Sequence, residues 1–421
     1  MPPSFKVLVV GTTSDYIDWI RNSSPGRALF ITDPAERRKA EEPGPSRAEE
    51  ILCDLCNFTE VHQALRQHLR RESIRLEGIA CYDCESMELA AVLAGQLELP
   101  YPSVEAVNNC RNKYLSKTIW AEHKLCTPRT RKLRTAAEAV DFFQELGGPC
   151  VLKPVDGSGS ELIFRCDSGQ AAKDNFEKIR NGLQARRAHR LYKSFFAGDP
   201  VILGEELVHG QEFSCDFVLE NGRAEVIRLT RKILSSRGPF GTAMGYLLPG
   251  SLPDEIDERQ FLQLLCQSAL VLGLSRAVCM LDFMIHQGRI ILLELAPRPG
   301  GDCLPYLLRR CRNLDILNRY LDFCCQQPFA VNPPFDSQPC IGLRLHAQRS
   351  GILKKIDARR LQHDPRVREI FLSRKPGHPI KTPPDDYDSW LLGHIIFEPD
   401  LDLELEAQCR SLAEKLIIEV E

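Results

Sequence analysis

The stretch from Val278 to Gly301 limits the possible folds more than any other part of this 421-residue chain. Val278 to Ile285 is apolar apart from Asp282, His286-Gln287-Gly288-Arg289 has the composition of a turn, and Ile290 to Leu295 is apolar again except for Glu294. Two short apolar runs around a glycine turn predict a β-hairpin. With a loop of odd length centred on Gly288, Asp282 faces Glu294 across the ladder, and the period of two sends Glu294, Ala296 and Arg298 to one side. Like charges held opposite repel, and a hard divalent cation with oxygen ligands beside a polyphosphate removes that cost. Arg298 then offers its planar fork to phosphate or to a developing oxyanion. On pattern alone, the same residues fit equally well a solvated sheet face on which Arg298 partners the two carboxylates.

Upstream, Val151-Leu152-Lys153-Pro154 reads as a short strand ending in a lysine. It leads into Val155-Asp156-Gly157-Ser158-Gly159-Ser160, a loop whose glycines let backbone amides approach a phosphate. The lysine precedes the glycines and no helix-opening Gly-Lys-Ser/Thr follows, so this is not a Walker A loop. An exposed Gly/Ser turn is its bland alternative. Val201 to Phe217 reads as a strand, a connector and a second, alternating strand.

Taken in order, these parts resemble the ATP-grasp superfamily. The match runs through Asn112-Lys113 with Lys117, Lys153-Pro154 and its Gly/Ser loop, Glu205 to Glu212, Asp282, and Glu294 to Arg298. The resemblance implies that Lys113 and Lys153 hold ATP phosphates and that Gly157, Ser158, Gly159 and Ser160 form the mobile flap over them. It implies that Glu205, Glu206, Leu207 and Val208 form the connector that reads adenine and that Glu212 takes the ribose hydroxyls. Asp282 and Glu294 match the ligands of Mg2+ (or Mn2+), and Arg298, with Lys153, matches the catalytic groups. Ala296 stands where many members have an asparagine ligand, and Glu161-Leu162 where the flap often has another glycine.

The tail Glu294-Leu295-Ala296-Pro297-Arg298-Pro299-Gly300-Gly301-Asp302, followed by Leu304-Pro305-Tyr306-Leu307-Leu308, resembles the carboxylate–amine ligase branch, the L-amino acid or dipeptide ligases. That resemblance implies an amide-forming, ADP-releasing reaction through an acyl phosphate, with small-molecule carboxylate and amine substrates such as amino acids. Similar enzymes are often dimers, so a homodimer is an open expectation. Two other functions stay open: a carboxylase-like enzyme of a nucleotide or cofactor pathway, and a catalytically impaired nucleotide-binding sensor or scaffold.

The fold class expected is α/β with α+β lobes. It comprises an N-terminal Rossmann-like domain over 1–107, an ATP-grasp domain over 108–330 with a small lobe at 125–200 and a large lobe at 201–330, and a C-terminal α+β module over 331–421. Phe5 to Val10, Gly11 and Tyr16 to Arg21 read as the first strand, turn and helix of the open sheet. Pro34 to Glu49 reads as a loop, Asn108 to His123 as a helix carrying Lys113, Thr135 to Leu146 as a helix capped by Thr135, and Pro328 to Pro339 as a linker. Arg231-Lys232, Arg237 and Gly245 to Pro249 are placed on the substrate side.

Composition closes off other classes. A net charge of −3 gives no nucleic-acid footprint, and no apolar run reaches the ~18 residues of a membrane span, so a cytoplasmic enzyme is expected. Of the seventeen cysteines, Cys53-x-x-Cys56 and Cys81-x-x-Cys84 have zinc-like spacing. They fall on sheet-like apolar segments, where cysteine serves as a small buried hydrophobe.

Overall fold

The computed structural model describes residues 4–192, 196, 201–331 and 338–421. Part of the end of the expected small lobe and the middle of the expected linker at 328–339 therefore lie outside the described residues. In the N-terminal region, strands Ser4–Val10, Ala28–Thr32, Glu50–Leu52 and Ile74–Ala80 form a wholly parallel sheet in the order third, second, first, fourth. Their burial follows from sequence: Val7 to Val10 and Leu29 to Ile31 are continuous apolar runs, as a strand covered on both faces requires. Gly78 is fixed by packing, since a Cβ there would lie 2.5 Å from the carbonyl oxygen of Cys324 on helix Ile316–Cys324. The Rossmann-like sheet is thus seated directly on the large lobe.

Two local expectations change. Pro34–Lys39 is a short helix rather than loop, because Asp33 accepts from the Ala35 amide and Pro34 sits at the first turn. The helix expected over 108–123 is two, Val104–Arg111 and Lys113–Glu122, broken at extended Asn112. The Asn112 side chain accepts from the amides of Tyr114 and Leu115, so it caps the second helix and starts it at Lys113. Thr135 caps Ala136–Leu146 as expected, accepting from the Glu138 amide.

The small lobe has an antiparallel sheet of Thr130–Leu133, Ile202–Glu206, Cys150–Pro154 and Phe164–Cys166, in that spatial order. Eight antiparallel strands form the large sheet. Arg289–Ala296 is at one edge, followed by Ala277–His286, Gln211–Glu220, Arg223–Leu234 and Ala243–Leu248. The sheet then continues without a break into Cys340–His346, Leu391–Phe397 and Val367–Leu372, so strands of the C-terminal module extend the large lobe. Phe213, Phe217 and Phe283 are fully buried beneath helix Glu258–Leu270, each contributing roughly 1.5–3 kcal/mol by burial.

The hairpin forms, but not by the route anticipated. Its loop is the two-residue turn Gln287-Gly288, with φ of 49° and 71°, which suits the twist of the flanking strands. That turn pairs His286 with Arg289 and by itself would place Asp282 opposite Leu293. A bulge after Asp282 leaves Leu293 as the extra residue and restores the pairing of Asp282 with Glu294. No helix among the described residues is long and apolar enough to cross a membrane.

Candidate functional site

Period-two alternation builds the site. On Gln211–Glu220, Phe213, Cys215 and Phe217 enter the core while Glu212, Ser214 and Asp216 take the opposite face. On the neighbouring strand Arg228 pairs with Asp216 and Thr230 with Ser214, and on the other side Asp282 pairs with Ser214. One sheet face therefore carries a polar stripe of complementary charge.

At one end of the stripe, Lys232 Nζ lies 2.7 Å from Glu212 Oε1 and 2.6 Å from Asp282 Oδ2. Burial opposes its charge, but Asp282 and Glu212 outweigh burial and hold its pKa well above the ordinary lysine range. Asp282 Oδ1 is buried without a hydrogen-bond partner. Directly across the ladder, Glu294 is held by Lys113, with Nζ 3.1 Å from Oε1. The two carboxylates proposed as metal ligands thus face each other, each with one lysine beside it.

Lys113 also ties down the flap. Its backbone amide donates to Val155 O at 3.2 Å and its Nζ to Gly157 O at 2.5 Å. From the other lobe, Gly241 O accepts from the Ser160 hydroxyl at 2.7 Å. Gly159, Ser160 and Leu162 all have φ between 56° and 65°, so the loop turns sharply at its tip. Glu161 is anchored by Arg186 and by the Tyr192 hydroxyl.

Behind the flap lies a second cluster. Lys153 Nζ is 2.8 Å and Lys117 Nζ 3.2 Å from Glu205 Oε2. Burial would raise the Glu205 pKa, yet Lys117 and Lys153 together keep it below the usual carboxylate range. Burial pulls Lys117 down to about 8 against the attraction of Glu205. Lys117 also donates to Leu293 O at 2.5 Å, the carbonyl of the bulged residue, so this lysine braces the distortion that sets the Asp282–Glu294 register.

Not every expected residue joins these clusters. Glu206 pairs with Arg129 on the outside of the small lobe, and Leu207 and Val208 are half-buried in the connector. Arg298 turns toward the N-terminal domain: its Nη2 lies 2.9 Å from Cys84 Sγ and its Nη1 donates to Pro299 O at 2.7 Å. Of the substrate-side expectations, Lys232 is the link between Glu212 and Asp282, while Arg237 is exposed. Sequence reading left Asp216 and Arg228 unassigned. They form a fully buried pair, 2.8 Å apart, and Asp216 accepts from the Gly300 amide at 3.1 Å, fixing the loop that follows Arg298. Their signal was legible in the alternation of Glu212, Ser214 and Asp216 against Arg228, Thr230 and Lys232.

Among the described residues, no three His, Cys, Asp or Glu side chains cluster to hold a metal, the two Cys-x-x-Cys segments included. Asp282 and Glu294 fit a different kind of site. They are two hard oxygen donors, one with an orphaned buried atom, where phosphate oxygens and water would supply the remaining ligands, as suits magnesium.

Comparison with known proteins bears on the fold. Residues 146–306 match the family described as ATP-grasp domain. A D-alanine–D-alanine ligase of Acidovorax ebreus (strain TPSY) is 29% identical over 220 residues, 49% of this chain and 60% of that protein. The chain spans about 60% of the length of the first such relatives. The crystal structure of an L-amino acid ligase from Bacillus licheniformis covers 100% of both chains, with a TM-score of 0.77 and 19% identity. A carboxyaminoimidazole ribonucleotide synthase from Aspergillus clavatus, crystallised with ATP, covers 98% of both, with a TM-score of 0.68 and 16% identity. Likenesses at these identities establish architecture, and together with the matched domain they identify the chain as one that carries an ATP-grasp domain within the ATP-grasp fold.

Proposed function

We propose that the protein is an ADP-forming ATP-grasp ligase that joins a small-molecule carboxylate to an amine through an acyl phosphate. The observation that carries this reading is the in-register placement of Asp282 opposite Glu294, with Lys113 on one carboxylate and Lys232 on the other. A magnesium ion held there would neutralise the phosphates of ATP and polarise the one being transferred. In this reading Lys113 and Lys153 exchange their present carboxylate partners for phosphate oxygens, and Glu212 is freed from Lys232 to take a ribose hydroxyl. The Gly157–Ser160 loop supplies backbone amides above the phosphates and excludes water from the acyl phosphate. Arg298, fixed through the neighbouring Gly300–Asp216 contact, stabilises the oxyanion formed when the amine attacks.

Phosphate release from ATP and magnesium with pools of amino acids tests this. Amine-dependent release that disappears in both Glu294→Ala and Lys153→Met is the expected result. Nucleotide binding with no release under any pool would overturn it in favour of a sensor or scaffold.

A further inference from the structure

A cavity of about 260 Å³ lies apart from the lysine clusters. It is lined by the first strand-to-helix turn of the N-terminal domain at Thr12 to Asp15, the segment Glu36 to Glu42, Gly301 and Asp302, and the C-terminal strands at Phe371 and His394. Its size suits one small molecule.

Its charge is one-sided. The lining arginines and lysine are already paired: Arg37 with Glu50 at 2.5 Å, Lys39 with Glu36 at 2.9 Å and Arg374 with Asp388 at 3.0 Å. Five further carboxylates line the space: Asp15, Glu41, Glu42, Asp83 and Asp302. Glu41 and Asp302 have cationic partners in Lys375 and Arg344. Asp15, Glu42 and Asp83 are met by neutral donors instead: the Tyr306 hydroxyl at 2.7 Å, the Ser14 hydroxyl, and the Ser86 amide and hydroxyl. Burial, reinforced by Glu85 and opposed by the Arg190 guanidinium, pushes Asp83 up to about 6; burial also raises Asp15, with Glu42 adding to it.

Four buried polar atoms of the lining residues have no partner: Arg37 Nη1, on a guanidinium whose Nη2 is held by Glu50, and Thr12 Oγ1, Thr32 Oγ1 and His394 Nε2, the last three on residues 8%, 3% and 4% exposed. Orphaned polar atoms at such depth are costly unless something binds them. Beside them, Tyr306 stacks on Phe371 with ring centroids 5.2 Å apart, and His394 lies 4.6 Å from Tyr306, giving an aromatic wall that adjoins Asp15.

We propose that this cavity is a binding site for a small organic cation, an amine whose ammonium meets Asp15 and Glu42 and whose flat or apolar body lies against Tyr306 and Phe371. An ammonium supplies a counter-charge to Asp15 and Glu42, whose hydrogen-bond donors are the neutral Tyr306 and Ser14 hydroxyls. The site does not depend on the ligase reading; if that reading holds, this is where an amine substrate would be collected.

Calorimetric titration of the full chain with phenethylamine, against 3-phenylpropionate as the same body bearing a carboxylate, tests it. Saturable binding of phenethylamine alone, weakened about tenfold or more in both Asp15→Asn and Glu42→Gln, is expected. Asn at position 15 still accepts from Tyr306, and Glu42 lies in a surface segment, so at least one variant reports on a folded protein. Equal binding of the carboxylate, affinity unchanged in both variants, or no saturation at millimolar phenethylamine would each overturn it. ATP–magnesium binding on the same samples isolates the other reading: its absence from the wild type would sink the nucleotide site and leave this result untouched.

Discussion

Arg228 and Lys232 stand four residues apart on one strand and face the same acidic layer, yet their surroundings differ in kind. Arg228 is fully buried and every arm is used: Asp216 takes Nε and Nη2, Ser214 O and the Thr230 hydroxyl take Nη1, and the Ser214 hydroxyl takes Nη2 again. Asp216 in turn receives the Gly300 amide. This network is closed. Lys232 sits instead between two carboxylates that are partly accessible, and one of them keeps an orphaned oxygen. A closed buried network fixes geometry, whereas an open one holds charge in reserve for a ligand that can replace the internal partner.

The largest effect that would break this contrast is on stability. Arg228→Met leaves Asp216 as an uncompensated buried charge and is expected to cost about 3–5 kcal/mol, read as a lower denaturant midpoint. Lys232→Met should unfold more easily only without nucleotide, with ATP and magnesium restoring much of the loss. The reverse pattern, with Arg228→Met near wild type and Lys232→Met unrescued, would show the assignment to be inverted.

Next in size is binding at the second lysine cluster. Lys153→Met removes a charge-assisted contact and should weaken ATP affinity by roughly 10- to 150-fold, the equivalent of about 1.5–3 kcal/mol. Fluorescent-nucleotide titration reads it, and an unchanged affinity would mean that Lys153 serves only to hold Glu205.

A smaller change sharpens the link from the closed network to the Arg298 loop. A Cβ at Gly300 would lie 2.4 Å from Arg228 Nη2, an atom that cannot move without losing Asp216. Gly300→Ala is therefore expected to cost about 2 kcal/mol and to shift the loop carrying Arg298. Thermal melting together with the rate of phosphate release would separate the two consequences.

What the sequence revealed follows the same division. The hairpin, the facing of Asp282 and Glu294, the Thr135 cap and the Lys153 strand were legible, because each rests on local periodicity or on one capping residue. The facing was reached through the wrong loop: a two-residue turn and a bulge at Leu293 stand where an odd loop was expected. Nothing local marks that bulge, since Lys117, which braces it, is 176 residues distant in the chain. The turn of Arg298 toward Cys84 was equally hidden, because it depends on how the N-terminal sheet seats against the large lobe. Asn112 breaking its helix was readable in principle, as an asparagine can cap as well as continue a helical run.

The smallest effect concerns a second contrast, between Lys232, whose neighbours hold it charged, and His394, whose neighbours hold it neutral. Burial brings His394 from its ordinary 6.5 down to about 4, with Asp302 opposing and Arg309 reinforcing, while the faces it packs on, Tyr306 and Phe371, offer no counter-charge. Because the folded pKa lies below the unfolded one, the unfolded chain binds more protons between these values. This group's contribution is therefore complete above about pH 6.5 and is lost as pH falls toward 4. Asp83, raised to about 6, contributes with the opposite sign, so the comparison must be between variants rather than between pH values alone. His394→Phe should remove about 1 to 2 kcal/mol of acid sensitivity between pH 7 and pH 5 in urea unfolding. If wild type and variant lose stability in parallel, His394 is protonated in the folded state and the aromatic wall of the cavity carries a charge of its own, which would work against a cationic ligand.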